Sequence, residues 1–191
     1  MSFQYELEKE LKVLLNKEEY NSLLKQFDWD EVRSQTNYYY TDDKDLIKNK
    51  GITVRIRECN NIIALQVKVP LHEEGAFHMK KEFETYIKDV PKVIEGSIIS
   101  NLCSIDLPNV TLAGSLVTKR HICKLVDGIE ICLDKSKYFD IEDYELEIEY
   151  EENIDPLIFD ILNKNKIKYH NNVEGKSRRF FNYLETKPYK N

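Results

Sequence analysis

Two runs of alternating carboxylates set the chemistry of this chain. Glu6, Glu8 and Glu10 fall on every second residue near the N-terminus and are followed in the same phase by Lys12. Glu145, Glu147 and Glu149 repeat that spacing inside Tyr144-Glu-Leu-Glu-Ile-Glu-Tyr150. In an extended strand alternate side chains share a face, so each run aligns acids about 6.8 Å apart. Such a row repels itself unless cations answer it. Three other stretches carry them. Thr53, Arg55 and Arg57 share one face of residues 52–58, Gln66 and Lys68 one face of residues 62–69, and Thr118 and Arg120 one face of residues 116–125. In residues 80–86, Lys80, Glu82 and Glu84 align in the same way, and Glu130, Cys132 and Asp134 do so beyond a turn at Asp127-Gly128.

A charged strand face is ordinarily a solvated one. Here the signs are sorted strand by strand, whereas a solvated surface mixes them. A sheet closed with these faces inward would enclose an acidic wall opposite a basic wall, and without a ligand each wall would repel itself. Acidic oxygens suit hard cations such as Mg²⁺. Paired arginines suit polyphosphate oxygens through their forked donors. Metal, arginine and lysine around phosphates are the recurring equipment of phosphoryl transfer.

The elements that must position these residues are legible from periodicity. Asn16 with Glu19 forms a capping box, opening a helix over residues 17–26 with Tyr20, Leu23, Leu24 and Phe27 at helical spacing. Trp29 and Val32 read as packing residues beyond it. Residues 35–41 favour a strand, Ile47 begins a short helix that Gly51 ends, and Asn60-Asn61 signals a hairpin. Pro70 closes the strand at 62–69, residues 71–77 read as a loop, and Asp89 with Pro91 opens a helix carrying Val93, Ile94, Ile98 and Leu102. A further helix starts at Asp155-Pro156 with Leu157, Ile158, Ile161 and Leu162, and residues 166–169 read as a short extended segment. Residues 175–184 read as a basic terminal helix on which Arg178 and Arg179 are surface charges. Seven or eight mostly antiparallel strands with three or four helices define an α+β chain that is mainly β. Eight strands in a barrel leave room for a small ligand, and the helices would cover the apolar outer faces.

Several function classes fall away. There is no βαβ rhythm and no Gly-x-Gly-x-x-Gly, and the Gly175-Lys-Ser triplet lacks the earlier glycine of a P-loop. Net charge is −6 over 191 residues, which argues against a nucleic-acid partner. No apolar run reaches the ~20 residues of a membrane span, and the acidic N-terminus is unlike a signal segment. The cysteines, Cys59, Cys103, Cys123 and Cys132, and the histidines have no zinc spacing, so the cysteines read as buried packing residues of a reduced, cytoplasmic protein.

An ordered set of motifs then carries a family resemblance over nearly the whole chain: Glu8-x-Glu10-x-Lys12, Asn37-Tyr-Tyr-Tyr40, Arg55-Ile-Arg57, Lys68 near a proline, Glu82-x-Glu84, Leu116-x-Thr-x-Arg120, Asp134, Glu145-x-Glu147 and Lys176-Ser. It resembles the CYTH superfamily, the triphosphate tunnel metalloenzymes, and within it the small bacterial triphosphatase-like members. Tyr40-Thr41-Asp42 departs from the family's Phe-Asp-Thr, so no role is carried to Asp42. The resemblance implies a single domain over residues 1–191, built as an eight-stranded antiparallel closed β-barrel forming a tunnel, with flanking helices and a C-terminal helix at about residues 175–185. It implies hydrolysis of a triphosphate compound with Mg²⁺ or Mn²⁺, the substrate being inorganic triphosphate or a small organic triphosphate. Lys12, Arg55, Arg57, Lys68, Arg120 and Lys176 would bind the triphosphate. Glu8, Glu10, Asp134, Glu145 and Glu147 would hold metal. Glu82 and Glu84 would be second-metal ligands or partners orienting the arginines, and Tyr39 beside Lys68 would position the attacking water. The alternatives are an adenylate cyclase of class IV type and a non-catalytic polyphosphate-binding module. Thiamine triphosphate would need an aromatic platform, for which Trp29 and Tyr38 to Tyr40 are candidates. The expected partner is a small molecule, with the chain a monomer or homodimer.

Overall fold

In the computed structural model, residues 5–126, 128–154, 156–169 and 173–186 are described. Asp127 of the expected turn and Asp155 of the expected helix start lie outside them. The chain runs β1 (Glu6–Leu15), α1 (Lys17–Leu24), β2 (Glu31–Thr41), α2 (Leu46–Asn49), β3 (Thr53–Cys59), β4 (Ile62–Glu74), β5 (Phe77–Tyr86), β6 (Val93–Ile94), α3 (Gly96–Cys103), β7 (Val110–Val126), β8 (Ile129–Tyr138), β9 (Ile141–Tyr150), α4 (Pro156–Lys164) and α5 (Lys176–Thr186). The strands hydrogen-bond in the order β2-β3-β4-β5-β1-β9-β8-β7, and β2 pairs back onto β7, so eight antiparallel strands close into a barrel. The short β6 adds outside the ring, onto the start of β7.

Local chemistry explains most joints. Asn16 Oδ1 accepts from the backbone N–H groups of Glu18 and Glu19, both at 2.9 Å, and Glu19 Oε2 accepts from Asn16 N at 2.8 Å. That is the capping box expected at α1. Asn60 and Asn61 take φ of 51° and 64°, the left-handed pair of a tight hairpin turn. Asp42, which with Asp43, Lys44 and Asp45 reads from the sequence as a solvated loop, is instead buried, and its carboxylate accepts from the backbone of Lys44, Leu46 and Ile47, shaping the loop into α2.

Several boundaries differ from expectation: α1 ends at Leu24, β2 starts at Glu31 and β7 at Val110, and Val32 is an exposed residue of β2, not a packing residue of a turn. Pro70 does not end its strand: β4 continues to Glu74, with a register shift between Pro70 and His72 that accommodates the missing donor. β5 therefore starts at Phe77, and the expected loop is a tight turn at Gly75, whose φ is 57°. Val93 and Ile94 form β6, and the helix starts only at Gly96, with Ile98 exposed and Ile99 buried. Residues 166–169 form no strand.

Outer faces and helices form two apolar clusters. Leu11, Val13, Leu133, Leu146 and Ile148 pack with Tyr20 and Leu23 of α1 and Ile158 and Leu162 of α4. Val54, Ile56, Leu65 and Val67 pack with Ile47 of α2 and Ile99 of α3. A third cluster lies on inward-facing positions. Tyr39, Leu116 and Tyr138 meet Phe180 of α5, filling one end of the barrel with apolar side chains. A bulge makes this possible. Tyr39 pairs with Gly114 but Tyr40 with Leu112, leaving Ala113 as the extra residue. A Cβ on Gly114 would lie 2.9 Å from Phe180 Cζ.

Candidate active site

Strand order sorts the charges into two blocks. The consecutive strands β5, β1, β9 and β8 carry Glu82, Glu84, Glu8, Glu10, Glu149, Glu147, Glu145 and Asp134; β7, β2, β3 and β4 carry Arg120, Arg33, Arg55, Arg57 and Lys68. They enclose a cavity of 940 Å³. The sorting read from the sequence is thus a property of the barrel.

The walls do not stand apart and repel themselves, as the sequence suggested; ion pairs knit them together. At one seam Lys68 Nζ lies 2.6 Å from Glu8 Oε2 and 2.8 Å from Glu82 Oε2. At the other, Arg120 donates from Nε and Nη2 to the two oxygens of Asp134 at 2.8 and 2.7 Å, and Nη2 also donates to Glu147. Within the acidic block Lys12 Nζ lies 2.8 Å from Glu10 Oε1 and 3.2 Å from Glu147 Oε1, and Lys80 Nζ lies 2.8 Å from the same Glu10 oxygen. Lys176, the first residue of α5, reaches in to Asp134 at 2.9 Å, Glu145 at 2.6 Å and Glu147 at 2.9 Å.

Proton affinities follow from these contacts. Burial alone would raise the pKa of Glu10, but Lys12 and Lys80 outweigh it and hold the carboxyl well below its ordinary range. Burial is likewise overcome at Glu147 by Lys176, Lys12 and Arg120, and at Asp134 by Arg120 and Lys176. At Glu82 burial yields to Lys68 and Arg55, which bring the carboxyl down to about 2. At Glu145 burial wins over Lys176 and Arg179, and the pKa is raised.

Arg55 and Arg57 break this pattern. Arg57 has no carboxylate within ion-pair distance among the described residues; its Nε donates to Asn37 Oδ1 at 3.0 Å. Burial, then Arg55 and Arg120, lower its pKa to about 10. Arg55 donates from Nε to Gln66 Oε1 at 2.7 Å; among the described residues its Nη2 is buried without a hydrogen bond and its ion-pair partner is Glu82, 3.8 Å away. Two guanidinium groups therefore keep their charge in a closed space. That arrangement attracts an anion.

The expected site residues occupy one chamber, with differences of position. Glu8, Glu10, Lys12, Tyr39, Arg55, Arg57, Lys68, Glu82, Glu84, Arg120, Glu147 and Lys176 line the cavity. Asp134 and Glu145 are almost fully buried and lie behind Arg120 and Lys176. Tyr39 is also fully buried, its hydroxyl has no hydrogen-bond partner among the described residues, and it sits opposite Arg55 on the neighbouring strand. Glu84 is exposed at the mouth and accepts from Gln66 Nε2 at 2.5 Å, so it acts on the amide that holds Arg55. Neither Trp29 nor the Tyr38 to Tyr40 run forms the aromatic platform that the sequence suggests. Trp29 packs with Phe27 and His121 against the outer core, and Tyr38 and Tyr40 turn outward, to Glu58 and to the Pro91 carbonyl.

Some functional-looking residues were missed. Arg179, a surface charge by sequence, places Nη2 2.6 Å from Glu145 Oε2 and donates from Nε to Asp143 at 2.9 Å. Its position three residues after Lys176 on a helix was the available signal. Arg178 is exposed, as expected. Asn37 and Gln66 drew no role because neutral amides give no charge pattern. Cys103 and Cys123 are buried packing residues and Cys59 is half-buried, but Cys132 faces inward, with Sγ 3.4 Å from Glu130 Oε1.

An antiparallel eight-stranded barrel lined by opposed charges defines a class, and comparison with known proteins places the chain within it. Residues 6–181 match the CYTH domain, and the chain belongs to that family. YjbK of Bacillus subtilis (strain 168), whose name assigns it provisionally to the triphosphatases, is 31% identical over 150 residues, covering 75% of this chain and 77% of YjbK. A Bacillus halodurans protein provisionally named an adenylate cyclase superposes with a TM-score of 0.72 at 27% identity, covering 93% of this chain and 98% of its own. HpAC1 from Hippeastrum, described as an adenylyl cyclase candidate with a dominant triphosphatase activity, shares the fold with a TM-score of 0.71 at 18% identity, covering 92% of this chain and 96% of its own. No helix among the described residues is long and apolar enough to cross a membrane.

Proposed function

We propose that this chain hydrolyses a triphosphate, either inorganic or carried on a small organic group, inside the tunnel and with Mg²⁺ or Mn²⁺. One observation carries the reading: among the described residues Arg57 has no carboxylate in ion-pair reach and Arg55 only Glu82 at 3.8 Å, whereas Lys12, Lys68, Arg120 and Lys176 each meet a carboxylate within 3 Å. The name of the 31% identical relative supports the same reaction class. The donor set fits a hard divalent cation, because Glu8, Glu10 and Glu147 on the wall, with Asp134 and Glu145 behind them, offer oxygens only. A bound cation would neutralise charge on the transferring phosphoryl oxygens.

The chain's own residues divide the remaining work. Arg55 and Arg57 bind phosphoryl oxygens by forked hydrogen bonds. Lys12, Lys68, Arg120 and Lys176 bind further phosphate oxygens in exchange for carboxylate partners, and the carboxylates so released would be free to hold the metal. Lys68, held between Glu8 and Glu82, and Tyr39, with its unpartnered hydroxyl, position the attacking water. Enclosure strengthens each of these contacts relative to water. The test is incubation with Mg²⁺ or Mn²⁺ against tripolyphosphate, ATP and thiamine triphosphate, with assays for phosphate and cyclic AMP. Phosphate release supports the proposal. Cyclic AMP without phosphate would make the chain a cyclase, and binding without turnover a polyphosphate-binding module; either outcome overturns it.

A further inference from the structure

Each arginine of the phosphate-facing set is held at Nε by the residue directly opposite it on the next strand. Arg57 is opposite Asn37, Arg55 opposite Gln66, and Arg120 opposite Asp134. The three bonds have similar lengths, 3.0, 2.7 and 2.8 Å. Only the acceptor differs. Asp134 is a carboxylate and cancels the charge it orients, while Asn37 and Gln66 are amides and leave it intact.

The donor at Nε also fixes which way each amide points. Because Arg57 Nε donates, the oxygen of Asn37 must face it, and Asn37 Nδ2 is thereby turned elsewhere, buried and without a hydrogen-bond partner among the described residues. Gln66 is fixed twice, by Arg55 at its oxygen and by Glu84 at its nitrogen. The result is a corner of two guanidinium groups, Arg57 with no carboxylate in reach among the described residues and Arg55 with Glu82 only at 3.8 Å, and of two buried donors that make no hydrogen bond there, Arg55 Nη2 and Asn37 Nδ2. A buried donor left unpaired is costly, and a bound oxygen would satisfy it.

We infer that Asn37 and Gln66 are positioning residues, and that the amide-held corner they build with Arg55 and Arg57 is the subsite for the terminal, most highly charged phosphoryl group of the substrate. A terminal phosphoryl carries close to two negative charges near neutral pH, as a phosphate monoester does. This arginine pair, with Glu82 at 3.8 Å from Arg55 as its nearest carboxylate among the described residues, suits that group better than Arg120, which is hydrogen-bonded to Asp134 and Glu147. This inference rests on the triphosphate reading above.

Asn37→Asp tests it with almost no change of shape. The new carboxylate still accepts from Arg57 Nε, but it removes the Nδ2 donor and cancels the charge. Turnover of tripolyphosphate with Mg²⁺ is measured with the melting temperature of the same protein. We expect kcat/KM to fall at least ~10-fold while the melting temperature holds or rises, because a buried cation gains a partner. Asn37→Ala, which removes the bond and leaves the charge, should lose less. A structural role would move stability and turnover together. Asn37→Asp with wild-type kcat/KM, with a lowered melting temperature, or unable to fold overturns the inference, as does Asn37→Ala falling further than Asn37→Asp. If the wild type turns over no triphosphate, the underlying reading fails instead; if it does and Arg57→Ala is impaired while Asn37→Asp is not, only this inference fails.

Discussion

Lys176→Met removes the cation of α5 that meets three carboxylates of the acidic wall at once. In the wild type its ammonium sits within 3 Å of Asp134, Glu145 and Glu147. Without it each acid keeps some compensation: Asp134 has Arg120, Glu145 has Arg179, and Glu147 has Lys12 and Arg120. Removing one partner of a buried pair costs ~3–5 kcal/mol, and the surviving partners place this case near ~3. For a chain of this size that is a fall in melting temperature of ~6–12 °C, at ~2–4 °C per kcal/mol. A divalent cation should then do more for the variant than for the wild type, since it no longer competes with the ammonium. At a hundred times its Kd it returns about 2.7 kcal/mol, most of the loss. The assay is a pair of thermal melts of chelated and Mn²⁺-loaded protein, wild type beside Lys176→Met. A drop under ~2 °C, or a metal-induced shift no larger than that of the wild type, would refute the view that Lys176 stands where metal charge belongs.

Other expectations follow from the same geometry. Glu147→Gln should cut turnover at least ~10²-fold, as losing one electrostatic stabiliser does, and EDTA should abolish it; full activity in chelator would remove metal from the reaction. Arg57→Ala should weaken tripolyphosphate binding by ~2–5 kcal/mol in calorimetry, and exposed Arg178→Ala by far less; equal losses would put the wrong arginines in the tunnel. Gly114→Ala pushes a methyl to 2.9 Å from Phe180 Cζ, so melting should reveal a loss of ~1–3 kcal/mol, and an unchanged melt would show that α5 is free to shift. In metal-free protein, Glu82 has its folded-state pKa depressed from 4.5 to about 2, so its stabilisation is present above about 4.5 and lost as pH falls towards 2. Glu82→Gln should therefore melt below wild type at pH 7 and converge with it in acid; a gap independent of pH would contradict the assignment.

The barrel and its inward face were legible because strand alternation is a strict code. Once Arg55 and Arg57 share a face, Ile52, Val54 and Ile56 must share the other, and the apolar clusters bear this out. Element boundaries were less legible where a local signal was overruled by pairing. Pro70 looks like a stop, yet β5 lies alongside and the ladder simply shifts register past it. Partner identity was the least legible. Alternation put Lys68 in the tunnel but said nothing of the bonds to Glu8 and Glu82, which depend on how the ring closes. Arg179 shows the same limit, since a helix face has no inside until its packing is known.

An interior of paired charges also proofreads the strand register. A slip of one residue turns every side chain to the wrong face and is heavily penalised in any half-buried sheet. A slip of two keeps the faces, and in a barrel filled with leucine and valine it would cost little. Here it would set Arg120 opposite Cys132 or Ser136 in place of Asp134, and Arg55 opposite Ala64 or Lys68 in place of Gln66. Asp134, fully buried, would lose its bidentate partner. In a closed ring the staggers around the circumference must sum to a fixed shear, so an error in one ladder forces another elsewhere. Misaligned closures thus strand charges in at least two places, whereas an open sheet keeps them hydrated until the correct final ladder forms.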